Sequence, residues 1–282
     1  MIVFFNGQFR PKDEVRISPD DRGFLFADGV YEVVRVYRGR PFLMDEHLRR
    51  LRYSLGELQI DLPQIEALDE VARELIRRNG LAQDEATIYI QVTRGVAARK
   101  HAFPSEPPPP TLYVAASPFS PRPETWQAGV AVILVPDVRW ARCDIKSLAL
   151  LPNVLASQAA AEQGAREALF VREGLIAEGA HTNVCAVLDG VLFTHPATHQ
   201  ILAGITRGLV LELCAALGLA YREQAVGVEA LGAADEVIIV GTTTEITPVI
   251  EVDGRSVGDG RPGPITRRLQ GAFRARVEAA LH

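Results

Sequence analysis

The sequence predicts an α+β fold divided into two domains, and three observations predict it. Stretches of strand-like alternation outnumber stretches of helical periodicity, and the two do not take turns as they would in a doubly wound parallel sheet. Hydrophobic residues make up 48% of the 282, enough for one large core or two modest ones. A proline-rich stretch, SPFSPRP, follows the strand-like TLYVAA and has the composition of a linker. The expected organisation is a smaller N-terminal α/β domain over 1–117, a linker over 118–123 and a larger, strand-rich C-terminal domain over 124–282.

Each element rests on its own pattern. YEVVRVY, the turn at Arg38-Gly39 and PFLM read as a hairpin, and EHLRRLRYSLGEL after it as a helix. From Pro63 to Asn79, Ile65, Leu68, Val71, Ala72, Leu75 and Ile76 recur at helical spacing, and Gly80 ends the run. ATIYIQVTR alternates, with Ile88, Ile90 and Val92 on one face, and it delivers Arg94, Gly95, Arg99 and His101 into a loop. Past the linker, GVAVILV precedes two hairpins: EALFVR turns at Glu173-Gly174 into LIAEG, and VCAVL turns at Asp189-Gly190 into VLF. A helix begins near Thr206, with Leu209, Val210, Leu213, Ala216 and Leu217 apolar and Gly218 as terminator. EVIIV then forms a buried strand that runs into GTTTEITP.

Composition excludes several function classes. The formal net charge is -5 and no basic block recurs along one face, so nucleic acid finds little to hold. The opening MIVFFNGQFRPKDE is too short in apolar residues for a signal peptide, and no stretch approaches the roughly 20 apolar residues of a membrane span. A cytoplasmic protein is expected. Cys143, Cys185 and Cys214 lack CxxC spacing, which argues against a disulfide framework and a zinc site and for small buried hydrophobes. His195 and His199 stand four apart, but Pro196 intervenes and no third ligand is near, so they read as loop histidines and no metal is expected. Motifs for dinucleotide binding, P-loop hydrolysis, zinc proteolysis and serine hydrolysis are absent.

The basic residues carry a sharper signal, because 27 are arginine and only Lys12, Lys100 and Lys146 are lysine. A lysine that persists under such a bias can do what guanidinium cannot, namely lose its proton and attack. Lys12 lies beside two acids and reads as surface, and Lys100 between Arg99 and His101 is ambiguous. WARCDIKSLALLPN puts Lys146 in an apolar strand-and-loop setting, which favours either a nucleophilic amine or a lysine paired with Asp144. Glu178, in the largely buried LIAEG, needs a partner: an arginine, or a heterocycle nitrogen that it keeps protonated. Two anion sites are readable, each with a plain alternative. Gly204, Ile205 and Thr206 open a helix, where free N–H groups hold phosphate unless Thr206 simply caps it. Thr242 lies in the hydroxyl-rich turn after EVIIV, and Arg50 could add a guanidinium fork.

In order along the chain, DDRGFLFADGVYEVVRVY, EHLRRL, VTRGVAARKHAFP, RWARCDIKSLALLPNVLASQAA, AEGAHTNV, ILAGITR and GTTTEITPVIEVDG resemble the fold-type IV pyridoxal-phosphate aminotransferases. The resemblance is strongest to their bacterial D-amino-acid branch. It implies a two-domain enzyme with a C-terminal pseudo-barrel, in which pyridoxal 5'-phosphate forms a Schiff base with Lys146 and its ring nitrogen meets Glu178. It further implies that Arg50, Ile205, Thr206 and Thr242 hold the phosphate, and that Tyr31, Arg99 and His101 bind the substrate carboxylate. The last two would come from the neighbouring subunit of a homodimer. The implied activity is ping-pong amino transfer between D-amino acids, such as D-alanine and D-glutamate, and 2-oxo acids. Branched-chain L-aminotransferases, (R)-amine transaminases and aminodeoxychorismate lyases share the lysine and glutamate and are the alternatives within the fold. A non-catalytic phosphate-binding module is the alternative outside it. One departure is AEGAHTNV, where relatives of the D-specific branch carry small hydroxyl residues after the glycine.

Overall fold

The computed structural model describes residues 1–281, which form two compact units, Met1–Pro121 with Ile145–Ala149, and Arg122–Asp144 with Leu150–Ala280. The unit boundary falls inside the expected linker, but Pro118 ends a strand and Pro123 starts a helix, so the irregular connection is shorter than 118–123. The excursion of Ile145–Ala149 into the first unit is invisible in composition. A segment of five residues carries no domain signature of its own.

The first unit runs β1 (Ile2–Phe5), β2 (Gln8–Pro11), α1 (Arg22–Phe26), β3 (Gly29–Tyr37), β4 (Arg40–Pro41), α2 (Met44–Glu57), α3 (Ala67–Arg78), β5 (Ala86–Thr93) and β6 (Thr111–Pro118). Its six strands pair antiparallel in the order β2-β1-β6-β5-β3-β4. Alternation puts Val30, Val34, Ile88 and Ile90 on one face, where Leu48 and Leu51 of α2 and Leu68 and Leu75 of α3 cover them. The helix expected from Pro63 begins only at Ala67. Residues 64–68 close through i to i+3 bonds, Ala67 to Gln64 and Leu68 to Ile65, a tighter turn that still buries Ile65.

The second unit runs α4 (Pro123–Ala128), β7 (Val130–Pro136), α5 (Leu151–Glu162), β8 (Glu167–Arg172), β9 (Leu175–Gly179), β10 (Asn183–Leu188), β11 (Val191–Thr194), α6 (Ile205–Ala216), β12 (Tyr221–Glu223), α7 (Val228–Gly232), β13 (Glu236–Gly241), β14 (Glu245–Val252), β15 (Arg255–Ser256) and α8 (Pro264–Ala280). Its mixed sheet follows β12-β11-β10-β13-β14-β7-β8-β9, with β15 on β14. Strand β9 lies at the far end of that path, yet three residues link it to β10 near the other end. The sheet therefore curls back on itself, as a strand-rich pseudo-barrel does, and the α+β class holds. Its interior is lined by Val132, Leu169, Val184, Val237, Ile239 and Val249.

Residues 137–150 contain no strand, so the expected strand context of Lys146 is corrected to an irregular loop. All three cysteines are free and buried. Among the described residues, no helix is long and apolar enough to cross a membrane, and no cluster of three or more His, Cys, Asp or Glu could hold a metal ion. His195 lies in a loop, its ring nitrogens facing Pro196 O at 2.8 Å and Gln200 Oε1 at 3.1 Å.

Candidate active site

In the first unit, the loop that carries Lys146 is stitched to the edge of β3. Tyr31 N donates to Lys146 O at 3.0 Å, Leu148 N to Gly29 O at 3.0 Å, and Lys146 N donates to Ser54 Oγ at 3.1 Å. With its backbone fixed on both sides, the side chain reaches over the neighbouring Tyr31 ring, Nζ standing 4.3 Å from the centroid. Lys12 and Lys100 are exposed, whereas Lys146 is half-buried. Asp144, its alternative partner in the sequence, pairs with Arg142 at 2.8 Å.

Arg50, on α2, lies in the same unit with Nε 2.7 Å and Nη2 2.9 Å from the Glu32 carboxylate on β3. His47, one turn earlier, brings Nδ1 to 2.7 Å from Glu32 Oε2, the oxygen that Arg50 Nη2 also reaches. Glu32 is fully buried. Burial alone would push its carboxyl up, but the charge of Arg50 and the contact with His47 outweigh that and hold it well below the usual carboxylate range. Burial pulls His47 down, against Glu32 and together with the charges of Arg50 and Lys146. Neither Glu32 nor His47 was selected from the sequence. The signal available was a glutamate at an inward position of an apolar strand, which requires a cation nearby.

Arg99 and His101 sit in the loop after β5 and are exposed. The Phe26 ring touches both, 5.4 Å from the Arg99 guanidinium carbon and 5.5 Å from the His101 ring centre. Tyr31 stands one strand away on β3, stacked at 5.9 Å on Tyr89 of β5.

The second unit holds the other group of residues. Glu178, at the end of β9, is 5% exposed and receives three kinds of donor. Asn183 Nδ2 and Leu202 N each reach Oε2 at 3.0 Å, and Arg139 Nη1 reaches Oε1. Arg139 is itself buried, and it donates through Nε and Nη2 to Asp137 at 2.9 Å from each. Arg172 adds a second guanidinium to Asp137 at 2.9 Å. Despite burial, Arg139 and Arg172 hold the Asp137 carboxyl down. The arginine partner expected for Glu178 is thus Arg139, while Asp137 and Asn183 went unselected because their roles follow only from this contact.

Asn183 also connects Glu178 to the start of α6. Its side chain donates to Leu202 O at 3.0 Å, and a Cβ placed on Gly204 would lie 1.9 Å from its Oδ1, so only glycine fits there. Helix α6 opens at Ile205 and Thr206 with no side-chain cap; the capping role considered for Thr206 is not what the structure shows. The first N–H groups of a helix without a cap remain available to an anion. Thr242 lies half-buried in the turn between β13 and β14, and Trp126 Nε1 and Thr247 Oγ1 both bind Thr244 O, fixing that turn.

Comparison with known proteins identifies the pattern. The family model for aminotransferase class IV matches residues 29–252. The chain is 42% identical over 278 residues to D-alanine aminotransferase of Staphylococcus haemolyticus, covering 98% of each chain. It is 45% identical over 279 residues to D-alanine aminotransferase of Bacillus licheniformis, covering 98% of this chain and 97% of that one. Among solved structures, branched-chain amino acid aminotransferase of Escherichia coli superposes with a TM-score of 0.90 at 32% identity, covering 97% and 93% of the two chains. A hypothetical aminotransferase of Mycobacterium tuberculosis in its PLP-bound form gives 0.83 at 25% identity over 99% and 98%.

Proposed function

The chain belongs to the class IV aminotransferases, and from that premise we propose a D-amino-acid transaminase whose working residues are those described above. The enzyme is pyridoxal phosphate-dependent and exchanges amino groups between D-amino acids and 2-oxo acids. D-alanine and D-glutamate with pyruvate and 2-oxoglutarate are the proposed pairs. Full-length relatives named for D-alanine at 41–45% identity support this more than the branched-chain structure at 32%.

The residues suit the cofactor. A half-buried amine fits an aldehyde, a buried carboxylate with three donors fits a ring nitrogen, and a helix start without a cap behind an obligatory glycine fits a phosphate. When bound, pyridoxal phosphate supplies an electrophilic carbon and a ring that accepts the electron pair left at the substrate Cα. Lys146 Nζ is the proposed attachment point, and its amine would serve as the base that carries a proton between the substrate Cα and the former aldehyde carbon. Tyr31 keeps the amine from wandering, since a cation over its ring face is attracted and a neutral amine still packs there. Arg139, Asn183 and Leu202 all donate to Glu178, and a carboxylate held by such donors is suited to keep a pyridine nitrogen protonated. The N–H groups of Ile205 and Thr206, the hydroxyl of Thr242 and the charge of Arg50 are proposed for the phosphate.

Arg99 and His101, with Tyr31, are the proposed carboxylate trap, the first two acting on the neighbouring subunit of a homodimer. Where the trap stands relative to the lysine decides which enantiomer turns its Cα–H to the amine. A cytoplasmic setting accords with three free cysteines. The observation that carries the D-specific reading is the exposed Arg99-Lys100-His101 segment in the loop after β5. Initial rates with D-alanine, L-leucine and (R)-1-phenylethylamine, each with pyruvate or 2-oxoglutarate, test it. D-Alanine should turn over fastest; turnover of L-leucine with none of D-alanine would overturn the reading.

A further inference from the structure

We propose that Arg22 and Phe26 of α1 are positioning residues for the substrate carboxylate, acting by holding the 99–102 loop in its binding shape. The inference rests on the reading of Arg99 and His101 as the carboxylate trap and assigns what keeps that trap in place. The trap poses a physical problem. Long exposed side chains on a loop lose rotamer freedom when they close on a ligand, and that cost weakens binding unless the loop is already ordered.

Helix α1 answers it with one buried guanidinium. Arg22 is 3% exposed, and its Nη1 donates to Lys100 O at 2.6 Å and towards Ala102 O at 3.5 Å, while Nη2 reaches His101 O at 3.3 Å. Three successive carbonyls of the trap loop thus face the same planar fork. The remaining donor, Nε, binds Asp28 Oδ2 at 2.7 Å, and Asp28 also receives Nε and Nη2 of Arg94 at 2.8 and 2.9 Å. Two arginines on one carboxylate leave a surplus positive charge, which the carbonyl oxygens of residues 100–102 meet at Arg22 and those of Leu58 and Gln59 meet at Arg94. The five donors of a guanidinium permit this geometry, and an ammonium could not span it.

The helix is itself pinned. Asp21 Oδ1 caps it by accepting from Gly23 N at 2.8 Å, and Arg22 N donates to Gly95 O at 2.9 Å. A Cβ on Gly23 would come 2.2 Å from Thr93 Cγ2, so α1 lies directly against the end of β5 from which the loop departs. Phe26 completes the brace on the side-chain level. Its ring is the common surface for Arg22, Arg99 and His101, at 4.9, 5.4 and 5.5 Å. Backbone and side chains of the trap are therefore held from one short helix, neither of whose two residues is assigned contact with cofactor or reacting atoms.

Such residues act on KM and not on kcat, because they order a binding group before substrate arrives. The test uses purified holoenzyme, with D-alanine as the probe. Arg22→Lys and Phe26→Leu should keep the visible absorbance of bound cofactor and raise KM about tenfold with kcat within about threefold, while Arg99→Ala raises KM about a hundredfold. Phe26→Leu read in an Arg99→Ala/His101→Ala background should raise KM no further, since nothing remains for the ring to orient. Two results would overturn the inference: KM unchanged in Phe26→Leu, or the same KM increase with and without Arg99 and His101, which is what a merely structural role gives. The Phe26 series decides the matter even where Arg22→Lys fails to fold. An unchanged KM in Arg99→Ala would instead remove the trap reading itself.

Discussion

Glu178 and Arg99 are both charged groups that the proposed reaction requires, yet their surroundings are opposite. Glu178 lies in a closed network of Arg139, Asn183 and Leu202, backed by Asp137 and Arg172, in which every member is fixed before any ligand arrives. Arg99 is exposed, and what is fixed is its backbone and one ring beneath it. The difference follows from the two tasks. A charge that must hold a proton on a ring nitrogen gains from low dielectric and no reorganisation, whereas a charge that must admit and release substrate has to face solvent.

The largest test of that contrast is Glu178→Gln. An amide cannot favour a protonated ring nitrogen, so kcat for D-alanine should fall about 10²- to 10³-fold with cofactor still bound and KM little moved. Arg99→Ala should do the reverse, raising KM and sparing kcat. If both variants changed the same constant, the division of labour drawn here would collapse.

Stability should separate the two regions as well. Arg139→Met removes one partner of a buried pair and leaves both Glu178 and Asp137 short of a donor, a change that costs roughly 3–5 kcal/mol. For a chain of this size that corresponds to a Tm lower by roughly 10 °C in a thermal melt of the holoenzyme. Arg99→Ala, on an exposed side chain, should shift the melt by less than about 1 °C. A melt for Arg139→Met that overlays the parent would mean the network carries no net stability.

The same contrast governs how much the sequence disclosed. Lys146 stood out because only three lysines interrupt a field of arginine, and the strands β3, β5 and β13 stood out because alternation or a short apolar run is a local property. Helix α5 escaped because LPNVLASQAAAE is apolar on nearly every side and offers no period to detect. The β1–β2 hairpin turns at Asn6-Gly7, both with positive φ, a local turn signal inside the opening segment that its apolar length alone does not reveal. Asp137, Arg139, Asn183 and Arg22 were out of reach for a different reason. Arg139 finds Glu178 across 39 positions and Arg22 finds Lys100 across 78, and pairings at such separation exist only once the sheets have formed. The fold-level resemblance supplied roles for residues that touch ligand, and none for the residues that hold those in place.

The smallest expected effect concerns acid, and it sharpens the comparison within the first unit by setting buried Glu32 and His47 against the exposed trap. Glu32 titrates lower in the folded chain than its ordinary 4.5, so its contribution is present above that pH and is lost as pH falls below it. His47 titrates below its ordinary 6.5 because burial disfavours the imidazolium more than Glu32 favours it. The unfolded chain then takes up the proton first, and stability declines as pH drops from 6.5. Both shifts work in one direction, with His47 acting first. His47→Gln keeps a donor towards Glu32 and removes the titration, so the decline in Tm between pH 7 and pH 5 should flatten. The further decline below pH 4.5 should persist, and Arg99→Ala should follow the parent throughout. A His47→Gln profile parallel to the parent between pH 7 and pH 5 would show that the imidazole takes up its proton equally in the folded and unfolded chains and that the acid sensitivity arises elsewhere.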